Sequence, residues 1–551
     1  MSLFIPMSAL PVEGPWDVIV VGSGACGGVA AMTMAEGGAR VLLVDAGPDL
    51  ESREAFGSEP ANLLNRISGI SSGRHRVQAQ HPGYWKANPR LYADERRYPY
   101  EHPPDRPFLW TRGIQVGGRS LTWGGITLRL SDEDFSGVEV EGERIAWPIR
   151  SRELSPHYSA LERLLKVYGA RDGLSHLPDG ETEPALPFTD VEQRFADAVR
   201  TQLGHGVIHS RGFGPHDVKM DGPWPRFSSC GSTLPRAMAT GRVQLLPDHQ
   251  VECITLAGCG TKANGLVAVN QSNGNRHVLM ADLVVLAAST IQTLSILLRS
   301  TDQSGRAGLV DPSGRLGTCL MDHVSTSQFF AIKDAETGRQ PGLSGAGSFF
   351  LPFGRHLESA GFQGGYGLWG GIGRFDPPRL LKRRPGSSTG FLIGHGEVLP
   401  RSGNRVVLSD QVDRWGVRVP RIDCRWSANE HAMVDHMRAM MLRCIKAAGG
   451  EPLTIGQLFH LPLLGPLLKE AVALSGAAAP PGYYIHEVGG APLGTDERTS
   501  VVNPFNQLWR VANVLVVDGS CWPTSAWQSP TLTMMAITRR ACMAALSSRA
   551  E

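Results

Sequence analysis

An apolar run, Val18-Ile-Val-Val21, leads directly into Gly22-Ser-Gly-Ala-Cys-Gly27 and then into an Ala- and Met-rich stretch from Gly28 to Glu36. The run predicts a buried strand of a parallel sheet, and the spacing Gly22-x-Gly24-x-x-Gly27 predicts a tight turn opening a helix. Gly22 permits the turn, Gly24 lets the backbone approach a pyrophosphate, and Gly27 lets the helix pack on the strand. Phosphates then meet the unpaired N–H groups and the positive dipole of a helix N-terminus. A second strand, Arg40-Val-Leu-Leu-Val44, ends in Asp45, roughly 20 residues past the glycines, where a carboxylate accepts hydrogen bonds from ribose hydroxyls and disfavours a 2′-phosphate. The unit therefore binds a dinucleotide other than NADP, with Ser23, Ala25 and Ala46 beside the glycines and the acid. A glycine-rich turn without a ligand is the competing reading, and strand, helix and acid in register weigh against it.

Two further strand patterns, Leu283-Val-Val-Leu-Ala-Ala288 followed by a helical Ser289 to Ser300, and Val514-Leu-Val-Val-Asp518 followed by a helix from Leu532 to Leu546, belong with the first. The nucleotide domain is thus discontinuous, its pieces drawn from both ends and the middle of the chain. Gly113-Ile-Gln-Val-Gly-Gly-Arg-Ser-Leu-Thr-Trp-Gly-Gly125 follows no repeat and suits a loop laid against a flat ligand. Helical patterns at Glu153 to Tyr168 and Asn429 to Ala448, with alternating strands at Arg405 to Leu408 and Val417 to Ile422, predict a second domain, a sheet with helices on one side. The expected class is α/β with an α+β second domain. Residues 14–150, 226–324 and 481–551 form the Rossmann-like nucleotide domain, and 151–225 and 325–480 the substrate domain, built on an antiparallel sheet.

At 551 residues the chain is too long for one core. A net charge of +2 with both signs interspersed makes neither nucleic acid nor an anionic membrane an expected partner. Nine cysteines fall singly, without a C-x-x-C pair, which argues against zinc, iron–sulfur and a disulfide framework and makes a reducing compartment the default. Met1 to Ser8 shows no secretory or twin-arginine signal, so the expected location is cytoplasmic. Ile455 to Ala479 is rich in Leu, Ala, Gly and Pro, but Lys469, Glu470, Pro462, Gly465 and Pro466 disqualify it as a spanning helix. It reads instead as a buried helical hairpin or a lid.

Taken in order, these residues resemble the glucose–methanol–choline (GMC) family of FAD-dependent alcohol oxidoreductases over nearly the whole chain. The family's glycine-rich flavin loop is similar to Gly117-Gly118-Arg-Ser120 through Trp123-Gly124. Its Gly-Arg-x-x-x-x-Asp-His pattern is similar to Gly314-Arg315 through Asp322-His323, with two extra residues in the spacer. The block His486 through Asp496, Val502 through Gln507, Asp518-Gly519-Ser520 and Pro530-Thr531-Leu-Thr533 resembles most the branch of bacterial glucoside and sugar 3-dehydrogenases and C-glycoside 3-oxidases. The resemblance implies FAD. Asp518 and Gly519 would lie near its ribityl or pyrophosphate region, Trp123, His486, Ser529 and Pro530 would face the isoalloxazine, and the backbone of Val251 would meet adenine. Ala288 and Thr531 complete the implied contact set.

Removing a hydride from a carbinol carbon requires the hydroxyl proton to leave with it or before it, so a base must lie within hydrogen-bond reach. His486 is the candidate, since imidazole titrates near neutrality and the family's catalytic histidine lies at the matching position. His323 and His460 read as structural hydrogen-bonders. The chain departs from the family at Ser529, where most relatives carry Asn or His to position the substrate oxygen. A hydroxyl reaches less far, so a deeper substrate, a bridging water or another side chain is needed. Relatives that tether FAD covalently do so through a His at the position of Thr122, so the flavin here is expected to be non-covalent. The implied reaction oxidises a secondary alcohol of a sugar or glycoside, at C3, with oxygen or another acceptor taking the electrons. Gln363, Trp369, Asn404, Arg405 and Trp426 are candidate sugar contacts, with core packing as the competing reading. A non-sugar natural-product alcohol, or a redox-inactive, lyase-like flavoprotein, stands as the alternative.

Overall fold

The computed structural model describes residues 16–214, 222–258, 260–304, 311–333, 342–355, 357, 361–374, 386–454, 457 and 477–550. Five parallel strands form one sheet in the order Val514–Val516, Leu283–Leu286, Val18–Val21, Val41–Val44, Val243–Leu246. Val18–Val21 and Val41–Val44 are buried throughout, which is why they read as unbroken apolar runs rather than alternating ones. The helix Ala25–Glu36 packs between Thr233–Ala239 and the final helix, Thr531–Ala550. Its largely apolar sequence, polar only at Thr33 and Glu36, follows from that enclosure. An antiparallel meander, His249–Leu256, Ala263–Asn270 and Arg276–Met280, links Val243–Leu246 to Leu283–Leu286. The expected discontinuous Rossmann-like architecture is the one observed.

A second, six-stranded antiparallel sheet runs Glu451–Leu453, Val324–Lys333, Ser387–Gly396, Tyr366–Ile372, Phe349–Gly354, Ile208–His209. The helices Asp190–Leu203 and Ala428–Ala447 cover one face. Each starts with a capping box, Thr189 with Glu192 and Ser427 with Glu430, which satisfies N–H groups that the first turn leaves unpaired. Ala428–Ala447 comes close to the sheet because the strand beneath it carries glycine. A Cβ on Gly394 would lie 2.8 Å from the Met437 sulfur, and one on Gly396 2.3 Å from that of Met433.

Alternation along the strands then assigns the other face. His395, between those glycines, and Phe350, next to the helix-facing Phe349, point away from the helices and meet at 5.5 Å between ring centroids. Trp369, opposite Phe350 in register, lies on the same face. The second sheet therefore presents an aromatic face toward the last turns of the nucleotide unit, where Trp527 packs on Phe350.

One buried ion pair locks a covering helix to the sheet. Arg374, beyond the strand end, donates to both oxygens of Glu192 at 2.8 and 2.7 Å, and both side chains are almost fully buried. Arg374→Met strands that carboxylate and is expected to cost about 3–5 kcal/mol, read as a lower urea midpoint. Replacing Glu192 by Leu as well should recover most of the loss, and an unchanged single-variant midpoint would refute the locking role.

Candidate functional site

The glycine turn is built as its spacing demands. Gly22 has φ +92°, and a Cβ there would lie 2.5 Å from the Ala287 carbonyl oxygen, while a Cβ on Gly27 would overlap the Gly22 oxygen at 1.7 Å. Gly24 differs, since its Cβ would meet only the Gly117 oxygen, at 3.9 Å. Gly24 also caps the helix Ala25–Glu36 with no side-chain cap and no acid in the first turn. That is an open helix N-terminus with its positive end uncompensated, and it fits a pyrophosphate.

Asp45 is first of all an anchor. Its Oδ2 accepts from the Ser23 N–H at 2.9 Å and the Ser23 hydroxyl at 2.6 Å, and its Oδ1 from the Gly47 N–H at 2.9 Å. Burial nevertheless pushes its pKa up to about 6. A carboxylate has about four acceptor positions, so capacity for a ribose hydroxyl remains. Ala46 follows, half-buried, and Gly47 lies against Ile114 and Gln115. The glycine-rich loop is tied down from beneath: the Gly117 N–H donates to Ser23 Oγ at 2.9 Å, the Ser120 hydroxyl to the Gly117 oxygen at 2.6 Å, and the Ser229 hydroxyl to the Ser23 oxygen at 2.8 Å. Gly118 and Gly124 leave open space where a side chain would stand. Trp123 is held by its indole N–H on the Phe227 carbonyl at 3.2 Å and packs edge-on against Phe213.

Arg119 carries this loop to the other end of the chain. It donates to Glu487 Oε2 at 2.7 Å, to the Ile485 carbonyl at 3.2 Å and to the Ser289 hydroxyl at 3.1 Å. The Ala288 N–H donates to the Thr293 hydroxyl, which in turn donates to Asp518 Oδ2 at 2.5 Å. Asp518 caps the turn Gly519–Cys521 through Ser520, and Gly519 leaves no room for a side chain beside the Glu487 carbonyl. Val251 lies in the meander opposite Ala268, at a bulge that throws out Glu252.

His486 sits above this junction, partly exposed. Its N–H donates to Asp322 Oδ1 at 2.9 Å, and its Nδ1 shares a hydrogen with His323 Nδ1 at 2.9 Å. Among the described residues no hydrogen bond reaches its other ring nitrogen. His323 Nε2 lies 3.0 Å from the Ala526 carbonyl. Asp322 also accepts the N–H groups of His323, at 2.8 Å, and Gly482, at 2.9 Å. Burial and the nearby Glu487 push the Asp322 pKa up to about 7 against those three bonds. Tyr484 meets His486 edge-on at 4.8 Å, and its hydroxyl pairs with His395 Nδ1 at 2.9 Å. His395 stacks on His323 at 5.4 Å, and its Nε2 is buried without a partner among the described residues. Burial, then the neighbouring His323, His395 and Arg119, hold the His486 pKa well below the ordinary 6.5.

Ser529 is buried in the segment before the final helix, and among the described residues its hydroxyl has no partner. Pro530 and Thr531 begin that helix. Gln528 is committed elsewhere, its amide donating to Asp134 at 2.7 Å, so it does not stand in for the missing Asn. Of the five candidate sugar contacts, only Trp369 lies against the aromatic wall of Phe350 and Trp527. Trp426 donates to the Ala479 carbonyl, Asn404 accepts from the Arg425 N–H, Gln363 is bonded to Asn429, and Arg405 pairs with Asp423 in a hairpin. The Trp426 and Asn404 side chains are thus held by the protein, in line with the core-packing reading, and Gln363 and Arg405 make backbone pairings. His460 and nearly all of Ile455 to Ala479 lie outside the described residues. His395, Tyr484, Asp322 and the Arg119–Glu487 pair were not anticipated. Asp322-His323 did carry a signal, the Asp-His end of the quoted family pattern, whereas nothing local marks Tyr484.

The glycine turn, the glycine-rich loop and the segment that carries His486 are joined through Ser23 and Arg119, an arrangement suited to flavin-dependent oxidation of an alcohol. A family model described as GMC oxidoreductase matches residues 400–538, and one described as FAD binding domain matches 17–94. The C-terminal part of the chain thus resembles GMC oxidoreductases and its N-terminal part an FAD-binding domain. It is 25% identical to 2-methyl-1,2-propanediol dehydrogenase of Mycolicibacterium austroafricanum, over 95% of this chain and 94% of that protein. It is 26% identical to paromamine 6'-oxidase of Streptomyces fradiae, over 96% and 91%. With C-glycoside 3-oxidase of Microbacterium trichothecenolyticum the identity is 25%, over 95% of each. Pyridoxine 4-oxidase from Mesorbium loti has the same fold, with a TM-score of 0.61 at 19% identity over 96% of this chain and 99% of that one.

Because Gly24 faces open space at φ −67°, Gly24→Val should leave the melting temperature of the flavin-free protein within a few degrees yet abolish co-purification of FAD. Full yellow colour in the purified variant would remove Gly24 from the phosphate site.

Proposed function

We propose that the protein oxidises a secondary alcohol of a sugar or glycoside, at C3, to the ketone, with non-covalent FAD and with His486 as base. The observation that carries the reading is the His486 imidazole, one nitrogen fixed by His323 and the other without a protein partner, over the junction of the two glycine-containing loops. FAD, when bound, supplies the two-electron acceptor for the carbinol hydride. Gly22, Ser23, Gly24, Gly117, Gly118, Asp518 and Gly519 would hold it, and Thr122 offers no imidazole for a covalent bond.

His486 takes the hydroxyl proton on its free nitrogen as the C–H bond breaks, so no protonated carbonyl has to form. Its depressed pKa keeps it neutral and able to accept that proton across the neutral range. Asp322 holds the His486 backbone N–H and Glu487, the next residue, is paired with Arg119, so the ring is kept in place as it takes the proton. The unpaired Ser529 hydroxyl is free to donate to the substrate oxygen. Phe350, Trp369 and Trp527 form an apolar wall that excludes water and suits the C–H face of a sugar ring. The sugar assignment also draws support from the likeness to a C-glycoside 3-oxidase and a paromamine oxidase.

His486→Ala should retain FAD while the anaerobic rate of flavin bleaching by a methyl glycoside falls about 100- to 10,000-fold. Full-rate bleaching would remove His486 as base, and bleaching by simple diols but by no glycoside would overturn the sugar assignment. The wild-type bleaching rate should rise with pH to a plateau reached below pH 6.5, since deprotonation of a base whose pKa is depressed is complete by then. A midpoint above 6.5 would contradict the burial argument.

A further inference from the structure

The hydrogen between His486 and His323 can be assigned from what lies behind it. The Ala526 carbonyl can only accept, so His323 Nε2, 3.0 Å away, must carry a proton. A neutral His323 then presents a bare lone pair at Nδ1, and the hydrogen shared at 2.9 Å belongs to His486 Nδ1. His486 Nε2, facing no protein group, is left unprotonated. We propose that His323 is a positioning residue that fixes His486 in the Nδ1–H tautomer, the form in which the free nitrogen is a proton acceptor. Had His323 carried protons on both nitrogens, the bond would reverse and His486 Nε2 would bear the hydrogen. Burial prevents this, holding the His323 pKa down to about 4.

The backbone on both sides is bent to make the chain of bonds. Ala526, whose carbonyl terminates it, has φ +57°, and Ile485, immediately before His486, has φ +64°. A β-branched residue in this region is a true outlier, and such a conformation persists only where surrounding contacts impose it. Anchors on either side enforce it. The Val398 N–H donates to Ser525 Oγ at 3.0 Å, Gln528 is tied to Asp134, Arg119 holds the Ile485 carbonyl, and Asp322 holds the N–H groups of both histidines. The charged and titratable groups around the pair are Asp322, Glu487, Arg119, Tyr484 and His395. None of them bonds the His486 ring, so His323 alone determines its tautomer among the described residues.

The proposal rests on His486 being the base, and the test separates the two. The holoprotein is labelled with 15N-histidine, and the ring signals of His486 are assigned by their loss in His486→Ala. Wild type should show a protonated Nδ1 and a pyridine-like Nε2 near pH 7. His323→Leu removes the acceptor at similar volume and should shift His486 toward the Nε2–H tautomer. His323→Asn, whose Oδ1 takes the place of Nδ1, should restore the Nδ1–H form. Bleaching by substrate should fall about 100-fold in the Leu variant and less than tenfold in the Asn variant, with FAD retained in both. A protonated Nε2 in wild type, or equal loss in both variants with no tautomer change, would overturn the proposal. The expected tautomers together with full activity in His486→Ala would uphold the positioning and refute the base assignment alone.

Discussion

The carboxylate of Asp322 is the interaction on which the site hangs. It lies just before the strand Val324–Lys333 and receives the N–H groups of His323, Gly482 and His486, so one buried anion joins the entry to the second sheet to the loop over the nucleotide unit. Burying a carboxylate is expensive, and here burial and Glu487 drive its pKa upward. Three backbone donors repay part of that cost and at the same time fix two imidazoles to a common atom group. Together with Arg119, which holds the Ile485 carbonyl, the clamp keeps Ile485 at positive φ and His486 beside His323.

Around this clamp, the two sheets meet through complementary economies of volume. Glycines on one face of the antiparallel sheet let a methionine-bearing helix approach closely, and the aromatic and histidine side chains are thereby confined to the other face. That face supplies the apolar wall and the imidazole stack. On the nucleotide side, glycine is used for the opposite purpose. Gly22 and Gly27 allow backbone to touch backbone, while Gly24 and Gly118 leave space. The replacement of the family's usual Asn or His by Ser529 is not made good by its neighbour Gln528, whose amide is committed to Asp134. A substrate oxygen is left with few donors, which places the burden of proton removal on His486.

Much of the nucleotide unit was legible in the sequence because its determinants are local. Four buried residues, a glycine spacing and an acid within about one βαβ unit set strand, turn and helix with little outside help. The helix read over Asn429 to Ala448 was similarly local, and its start is a four-residue capping box, Ser427 to Glu430. His486 was legible through its motif. Trp426 and Asn404 were left between sugar contact and core packing, because composition cannot distinguish an indole N–H aimed at a ligand from one aimed at the Ala479 carbonyl. Asp45 was read as a ribose ligand, but its contacts within the protein, to Ser23 and Gly47, appear only once the turn is folded.

By itself the sequence determined a discontinuous dinucleotide-binding sheet and a second sheet with helices on one side, both of which follow from side-chain periodicity and from glycine's freedom over a few residues. It also singled out His486 as a candidate base, through the resemblance of its motif alone. Only the tertiary structure decided which nitrogen of that histidine is free. The three groups that settle it, His486, His323 and the Ala526 carbonyl, are separated by 163 and 203 residues along the chain. Hydrogen-bond direction depends on distance and on what each atom can donate, and neither is written in spacing along a chain.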